Sequence, residues 1–298
     1  MLSWRIILGT VFVGTLVGIF WLDWSQELPG KYLFPLAIVL TVLASGELAR
    51  LFQQRTHPPS PLLVYLSPLF VLLAAGMPIY LPAQETESAF VGEVWSLWAL
   101  AAVLVAALVW EIATYRHDSE GATARLGLSL LPAVYLGLPM SFLIELRLFD
   151  PSWGVLPLAS LLIVVKFADI AAFTVGKLAG RRKLAPRLSP GKTIEGTLGG
   201  ILGAAACSWL VLVYLAPRFV EPEQATATAI PAWAALLYGF SLGVAGLVGD
   251  LAESMLKRDA GAKDSSAWLP GLGGILDMLD SLLLAAPVAL LLWRVCLT

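Results

Sequence analysis

Long apolar runs alternate with short polar segments along the whole chain of 298 residues. A helix that crosses a lipid bilayer needs about 20 predominantly apolar residues to match the thickness of the hydrocarbon core. Nine runs meet this length, at residues 4–22, 32–49, 62–81, 94–112, 126–146, 154–176, 196–216, 231–255 and 273–293. The pattern therefore predicts an all-α fold, a polytopic integral membrane protein with about nine transmembrane helices.

The composition agrees with a lipid environment. Hydrophobic residues make up 58% of the chain and charged residues 13%, with a mean hydropathy of +0.82, whereas a soluble domain has about 25% charged residues. The spacing of the two cysteines, Cys207 and Cys296, excludes a disulfide framework and a CxxC metal site. Arg5, at the start of the first run, precedes its uninterrupted apolar stretch as in a signal peptide, but no A-x-A-like cleavage site follows, so we expect a retained anchor.

Lysine and arginine are unevenly distributed among the segments between the predicted helices. Thirteen of the nineteen stand in the even-numbered loops, whereas the loop at 82–93 has three glutamates and no cation. Cytoplasmic loops of membrane proteins carry the excess of positive charge. We therefore expect a multi-pass protein of the cell inner membrane whose N-terminus and even-numbered loops are cytoplasmic.

Ionisable residues also differ between the two halves of the chain. Up to about residue 125 they cluster at helix ends, where Glu47 and Glu111 are expected to snorkel or to cap. From residue 160 onward, charges enter the apolar runs themselves. We therefore predict N-terminal scaffold helices over 1–125 and a C-terminal catalytic region over 126–298.

Carboxylates mark the last two predicted helices. Asp277 and Asp280 are three residues apart, so they share one face of a helix. Asp250 begins a polar stripe that continues with Glu253, Ser254 and Lys257 at helical spacing. A solvated cap or a packing stripe would explain each feature alone. Because charge inside a membrane usually serves function, and Mg²⁺ binds carboxylates together with phosphate oxygens, these residues predict a metal site.

A basic, glycine-containing segment precedes the seventh predicted helix. Its sequence, KLAGRRKLAPRLSPGKTIEG, carries six cations, and Ser189 and Thr193 are candidate helix caps. Backbone N–H groups at a helix start, with Lys192 close by, favour an anion site. The Walker A spacing is absent, and we expect no flanking strand. Lys166 and Asp169 in the sixth run form either a neutralised pair or part of a site.

The segment 254–281 is similar to the bacterial phosphatidate cytidylyltransferases, also called CDP-diacylglycerol synthases. The family pattern runs S-x-x-K-R-x4-K-D-S and then L-P-G-H-G-G-x-x-D-R-x-D-S. Here it is matched by Ser254, Lys257, Arg258, Lys263, Asp264, Ser265, Leu269, Pro270, Gly271, Gly273, Gly274, Asp277, Asp280 and Ser281. The resemblance covers roughly residues 160–285. Two positions depart from the pattern, with Leu272 in place of His and Met278 in place of Arg.

The resemblance implies transfer of CMP from CTP to phosphatidate, giving CDP-diacylglycerol and pyrophosphate in phospholipid biosynthesis. It implies Mg²⁺ on Asp250, Asp277 and Asp280, with a second cation left open. The catalytic residues would be Lys257, Arg258, Lys263 and Asp264. The substrate-binding residues would be Lys166, Asp169, Ser189, Lys192, Thr193, Glu195, Ser254, Ser265, Gly271, Gly273 and Gly274.

Two other functions remain open from the residues alone. An ion-coupled transporter would also carry intramembrane carboxylates, although no inverted repeat is present. A CTP-dependent lipid kinase would release CDP instead of pyrophosphate. The CDP-alcohol phosphotransferase pattern is absent. The expected partners are CTP, phosphatidate and membrane lipid, a homodimer is left open, and no nucleic acid is expected.

Overall fold

The structure, a computed structural model, describes residues 14–24, 26, 28–80, 92–115, 120–149, 153–218, 230–266 and 273–297. Residues 14–24 are helical and overlap the second half of the first predicted span, 4–22. Within these described ranges, eight further helices are long and apolar enough to cross a membrane. They are α1 (Leu33–Gln53), α2 (Pro61–Tyr80), α3 (Gly92–Thr114), α4 (Ala122–Arg147), α5 (Leu156–Ala179), α6 (Ile194–Arg218), α7 (Ala232–Asp259) and α8 (Ile275–Leu297).

The predicted all-α membrane fold is confirmed. Each of these eight helices coincides with a predicted apolar run to within a few residues at either end. A helix satisfies every backbone N–H and C=O within one segment, which a lipid environment demands. Three of the helices contain a π-helical turn, at Ala133–Gly137, Leu210–Leu215 and Trp293–Leu297.

The expectation of no strand beside the SPGKT segment is wrong. Lys183–Ala185 (β1) and Ser189–Thr193 (β2) pair antiparallel in a short hairpin between α5 and α6. The segment is too polar to continue a membrane helix, and the chain reverses at residues 185–188, where Pro186 favours a turn and the N–H of Leu188 donates to the carbonyl of Ala185 at 3.2 Å. Ser189 therefore opens a strand and caps no helix, whereas Thr193 caps α6 as predicted.

The chain divides into two compact units. The first consists of residues 1–145 and 256–278, and the second of residues 146–255 and 279–298. In the first unit, α2 packs against α1, α3 and the N-terminal part of α4. Buried Asp23 orders the entry to α1, since its carboxylate accepts from the N–H groups of Gly30 (3.0 Å) and Tyr32 (2.9 Å).

The second unit is built on the close packing of α5 against α6. Glycines make this approach so close that a Cβ at Gly196 would lie 2.7 Å from the carbonyl oxygen of Ala172. A buried hydrogen-bonded group lies elsewhere in this unit, where Ser160 Oγ is 2.9 Å from Tyr238 Oη and accepts from Trp293 Nε1 at 3.3 Å. The small-residue contact and this polar group both favour a single arrangement of the helices.

Candidate active site

The hairpin and the start of α6 are fixed by local hydrogen bonds. Thr193 Oγ1 accepts from the N–H of Gly196 at 3.1 Å, which satisfies one of the free donors of the first turn. Glu195 in the same turn accepts from the N–H groups of Arg181 (2.9 Å) and Arg182 (3.1 Å). The carboxylate of Glu195 therefore anchors the base of the hairpin to the helix.

A cavity of about 520 Å³ lies within the second unit, between α5, α6, α7 and the hairpin. Its volume is in the range of small-molecule sites. Its walls combine two kinds of lining. Apolar and glycine positions include Val165, Phe173, Gly176, Gly200, Leu242 and Gly246, and polar positions are Asp169, Lys177, Ser189, Lys192, Thr193, Thr197 and Asp250. A site of this composition suits a molecule with a charged group and an apolar part.

Two ion pairs involve residues at this cavity. Lys192 Nζ on β2 lies 2.5 Å from Asp250 Oδ2 on α7. Lys166 Nζ lies 3.3 Å from Asp169 Oδ2 one helical turn away on α5, and both side chains are nearly half exposed. The structure therefore brings the predicted residues of the basic segment, α5 and α7 to one place. The Lys166–Asp169 pair also fulfils the neutralisation that was the alternative interpretation of these two residues.

Asp250 and Asp280 are close neighbours in the second unit. An added Cβ at Gly249 would overlap the carbonyl oxygen of Asp280, so α7 and α8 touch at this level. The carboxylate of Asp280 is largely buried and accepts from the N–H (2.5 Å) and Oγ (3.1 Å) of Ser281. Two negative charges at this contact, on Asp250 and Asp280, would repel each other. Such repulsion is relieved when a cation lies between the carboxylates.

These two carboxylates fit a divalent metal ion. Mg²⁺ commonly takes one or two protein carboxylates and completes its shell with phosphate oxygens and water. Within the described ranges, no group of three or more His, Cys, Asp or Glu side chains has a metal-binding arrangement. Asp250 and Asp280 are therefore a two-carboxylate set that would need oxygens from a phosphate ligand.

Asp277 belongs to the first unit, where it is held by several donors. Its Oδ1 accepts from Lys257 Nζ at 2.5 Å. Its Oδ2 accepts from the N–H of Gly274 at 2.7 Å and from Ser265, whose Oγ lies at 2.6 Å and whose N–H lies at 3.3 Å. The role of Asp277 as a metal ligand stays a prediction from the motif, and its described contacts order the segment that precedes α8.

The other predicted residues have varied surroundings. Ser254 is buried in the second unit, and Arg258 donates to the carbonyl of Ala262 at 3.0 Å. Lys263 and Asp264 are exposed, as a loop that meets a soluble substrate would require. Gly273 has φ +83°, a conformation that glycine adopts without strain. Gly271, like Leu272, lies outside the described residues.

Glu47 was assigned only a snorkelling or capping role from the sequence. In the structure it is 5% exposed and caps not its own helix but the start of α8, more than 200 residues further along the chain. Arg55 just beyond α1 pairs with Asp259 at the end of α7. The only signal for Glu47 in the sequence is a carboxylate within an apolar run, which does not reveal its partner.

Gly274 provides a direct test of the packing around Asp277. A Cβ at this position would overlap Ser265 Oγ and Glu47 Oε2, so Gly274→Ala is expected to lower the melting temperature of the purified protein by several degrees, equivalent to about 1–3 kcal/mol. The control is Gly127→Ala in α4, where nothing lies within 4 Å of the added carbon. A Gly274→Ala protein as stable as the Gly127→Ala protein would contradict this packing.

The fold and the site together define a class of protein. This is a helical membrane protein with a cavity whose cations and carboxylates suit phosphate groups and a metal ion, beside apolar walls. The chain belongs to the Cytidylyltransferase family, whose model matches residues 3–296.

Curated relatives agree with this assignment. The chain is 37% identical to the phosphatidate cytidylyltransferase of Chlamydia pneumoniae over 65% of its own length and 61% of the relative's. It is 40% identical to that of Bacillus subtilis over 54% of the chain and 55% of the relative. The phosphatidate cytidylyltransferase of Pseudomonas aeruginosa is 35% identical over 98% of the chain and 97% of the relative. The chain thus spans about three-fifths or less of the first two proteins and nearly all of the third.

Proposed function

We propose that the protein transfers CMP from CTP to phosphatidate, which yields CDP-diacylglycerol and pyrophosphate. The cavity of the second unit carries this proposal, because its polar residues suit a phosphate group and its apolar walls suit the non-polar part of a lipid. The relatives named phosphatidate cytidylyltransferase support the choice of substrates.

The reaction is a phosphoryl-type displacement at the α-phosphorus of CTP. An oxygen of the phosphatidate phosphate forms the new bond, the bond from the α-phosphorus to the bridging oxygen of the β-phosphate breaks, and pyrophosphate leaves with the electron pair. The nucleophile is already anionic, so the reaction does not require a strong base from the protein. Catalysis then consists of positioning and of neutralising charge.

Each proposed role follows from the chemistry of the residue. Lys192, and Lys177 at the last turn of α5, would bind phosphate oxygens in the cavity. Lys257, Arg258 and Lys263 would neutralise the triphosphate and the leaving pyrophosphate. Asp250 and Asp280 would hold Mg²⁺, which supplies charge neutralisation at the phosphate oxygens when it is bound. Asp277 remains a predicted third ligand, and only the sequence motif supports that role.

The membrane orientation belongs to the same proposal. We place the N-terminus and the loops with most of the lysines and arginines in the cytoplasm, in the cell inner membrane. CTP is a cytoplasmic solute. The basic hairpin between α5 and α6 and the loop after α7 both belong to the segments that are predicted to be cytoplasmic. The orientation would therefore give a soluble nucleotide access to the cationic residues.

A pyrophosphate-release assay tests the proposed reaction. Purified protein in detergent is expected to release pyrophosphate only when CTP, phosphatidate and Mg²⁺ are all present. Omission of any one of the three should abolish release, and diacylglycerol in place of phosphatidate should not support it, because its hydroxyl group is not anionic. Release of CDP instead of pyrophosphate would contradict cytidylyl transfer and indicate a CTP-dependent lipid kinase.

A further inference from the structure

The carboxylate of Glu47 is held by four hydrogen-bond donors in the first unit. Oε1 accepts from Ser266 Oγ and from the N–H of Ile275, both at 2.9 Å. Oε2 accepts from Ser265 Oγ at 2.8 Å and from the N–H of Leu276 at 2.9 Å. One side chain of α1 therefore fixes two positions of the loop after α7 and the first two residues of α8.

These contacts suit a side chain that accepts hydrogen bonds at two oxygens. A carboxylate only accepts hydrogen bonds, and the two N–H groups and Ser266 Oγ donate to this one. The fourth partner, Ser265 Oγ, has one proton and lies within hydrogen-bond distance of both Glu47 Oε2 and Asp277 Oδ2. The two N–H groups belong to the first turn of α8, where backbone donors have no partner within the helix and the helix dipole favours negative charge. Glutamine would keep one acceptor oxygen and would place its amide NH₂ against one of the two backbone N–H groups.

Glu47 is connected to Lys257 through Ser265 and Asp277. Ser265 Oγ lies between the two carboxylates, 2.8 Å from Glu47 Oε2 and 2.6 Å from Asp277 Oδ2. The other oxygen of Asp277 binds Lys257 Nζ at 2.5 Å. Displacement of Glu47 would therefore release Ser265 and the start of α8, and would alter the position of Asp277 and its lysine.

We propose that Glu47 is a positioning residue for the Lys257–Asp277 pair. The role rests on the proposed cytidylyl transfer, in which Lys257 neutralises phosphate charge. Glu47 acts through Ser265 and through the backbone of Ile275 and Leu276. A misplacement of about 1 Å can lower a catalysed rate by about a hundredfold. The scaffold half of the chain then contributes directly to the geometry of the catalytic half.

The test compares Glu47→Gln with Glu111→Gln. Glu111 is a matched control, because it is also a buried carboxylate of the first unit and it pairs with Arg125 at 3.1 Å, not with this loop. We expect Glu47→Gln to lower kcat by roughly tenfold to a hundredfold, with a smaller change in KM for CTP. Glu111→Gln should keep kcat per folded molecule within about threefold, whatever its melting temperature.

A double-mutant cycle with Ser265→Ala measures the connection. If Glu47 acts through Ser265, the double variant is expected to lose little more kcat than the worse single variant, whereas independent effects would multiply. Multiplied effects would overturn the proposed path. A Glu47→Gln protein that folds with kcat within about twofold of the wild type would overturn the positioning role itself.

Amide hydrogen exchange gives a second measurement that does not depend on activity. In Glu47→Gln one of the two N–H groups, that of Ile275 or that of Leu276, should exchange at least about tenfold faster than in the wild type, because glutamine keeps one acceptor oxygen and turns its NH₂ toward the other N–H. In Glu111→Gln their exchange should be unchanged. If the wild type proves inactive with CTP, the proposed function is wrong, but the exchange rates still test whether Glu47 holds the start of α8. Unchanged exchange in Glu47→Gln would refute it.

Discussion

Replacement of Asp250 by asparagine is expected to lower kcat for cytidylyl transfer by roughly a thousandfold or more. Asp250 and Asp280 lie on α7 and α8, which touch beside Gly249 in the second unit, and they are the proposed ligands of the divalent ion. Asparagine keeps the size of the side chain and removes its charge, so the proposed Mg²⁺ site loses an anionic ligand. The measurement is kcat as a function of Mg²⁺ concentration, together with the melting temperature.

Lys192→Met separates the metal role of Asp250 from its ion pair. This variant breaks the same 2.5 Å contact but leaves the carboxylate in place. We expect it to raise KM for the phosphate substrate while the dependence on Mg²⁺ stays close to that of the wild type. If Asp250→Asn retains kcat within about tenfold of the wild type at ordinary Mg²⁺ concentrations, the metal assignment is wrong.

The second large effect is expected for Lys257→Met, with a loss of activity of more than about a hundredfold. Lys257 and Asp277 have side chains that are only 10% and 17% exposed. Methionine keeps most of the volume but leaves Asp277 without its cation. A buried pair that loses one partner is destabilised by about 3–5 kcal/mol, so the melting temperature should also fall.

The double variant Lys257→Met with Asp277→Asn distinguishes stability from catalysis. Removal of both charges leaves no unpaired carboxylate, so we expect the melting temperature to recover most of the loss. Activity should stay as low as in the single variant, because the lysine that neutralises phosphate charge is still absent. Recovery of activity together with stability would show that the pair serves structure alone.

The helices could be predicted from the sequence because lipid imposes one simple rule. A segment in the hydrocarbon core must be apolar and must satisfy its own backbone groups, and both requirements appear in the order of residues. Pro68 and Pro78 did not interrupt α2 in the structure, and the apolar run predicted that helix despite them. The hairpin was missed because its short strands are polar and lack the alternation of a half-buried strand.

The sequence indicates which residues are candidates for the site, but it does not indicate which of them contact each other. Helical spacing predicted that Asp277 and Asp280 share one face of a helix and that a polar stripe starts at Asp250. It could not show that Lys192 pairs with Asp250 or that Lys257 pairs with Asp277, because both pairs depend on the packing of separate elements. Glu47 was the clearest omission, since its four partners lie more than 200 residues away.

The most direct test of cytidylyl transfer follows the phosphorus atoms of CTP. Purified protein is incubated with phosphatidate, Mg²⁺ and CTP labelled either at the α-phosphorus or at the γ-phosphorus, and the lipid products are separated. The proposed reaction predicts that the α-label enters the lipid as CDP-diacylglycerol and that the γ-label appears only in pyrophosphate. Entry of the γ-label into the lipid, or of neither label, would contradict the account.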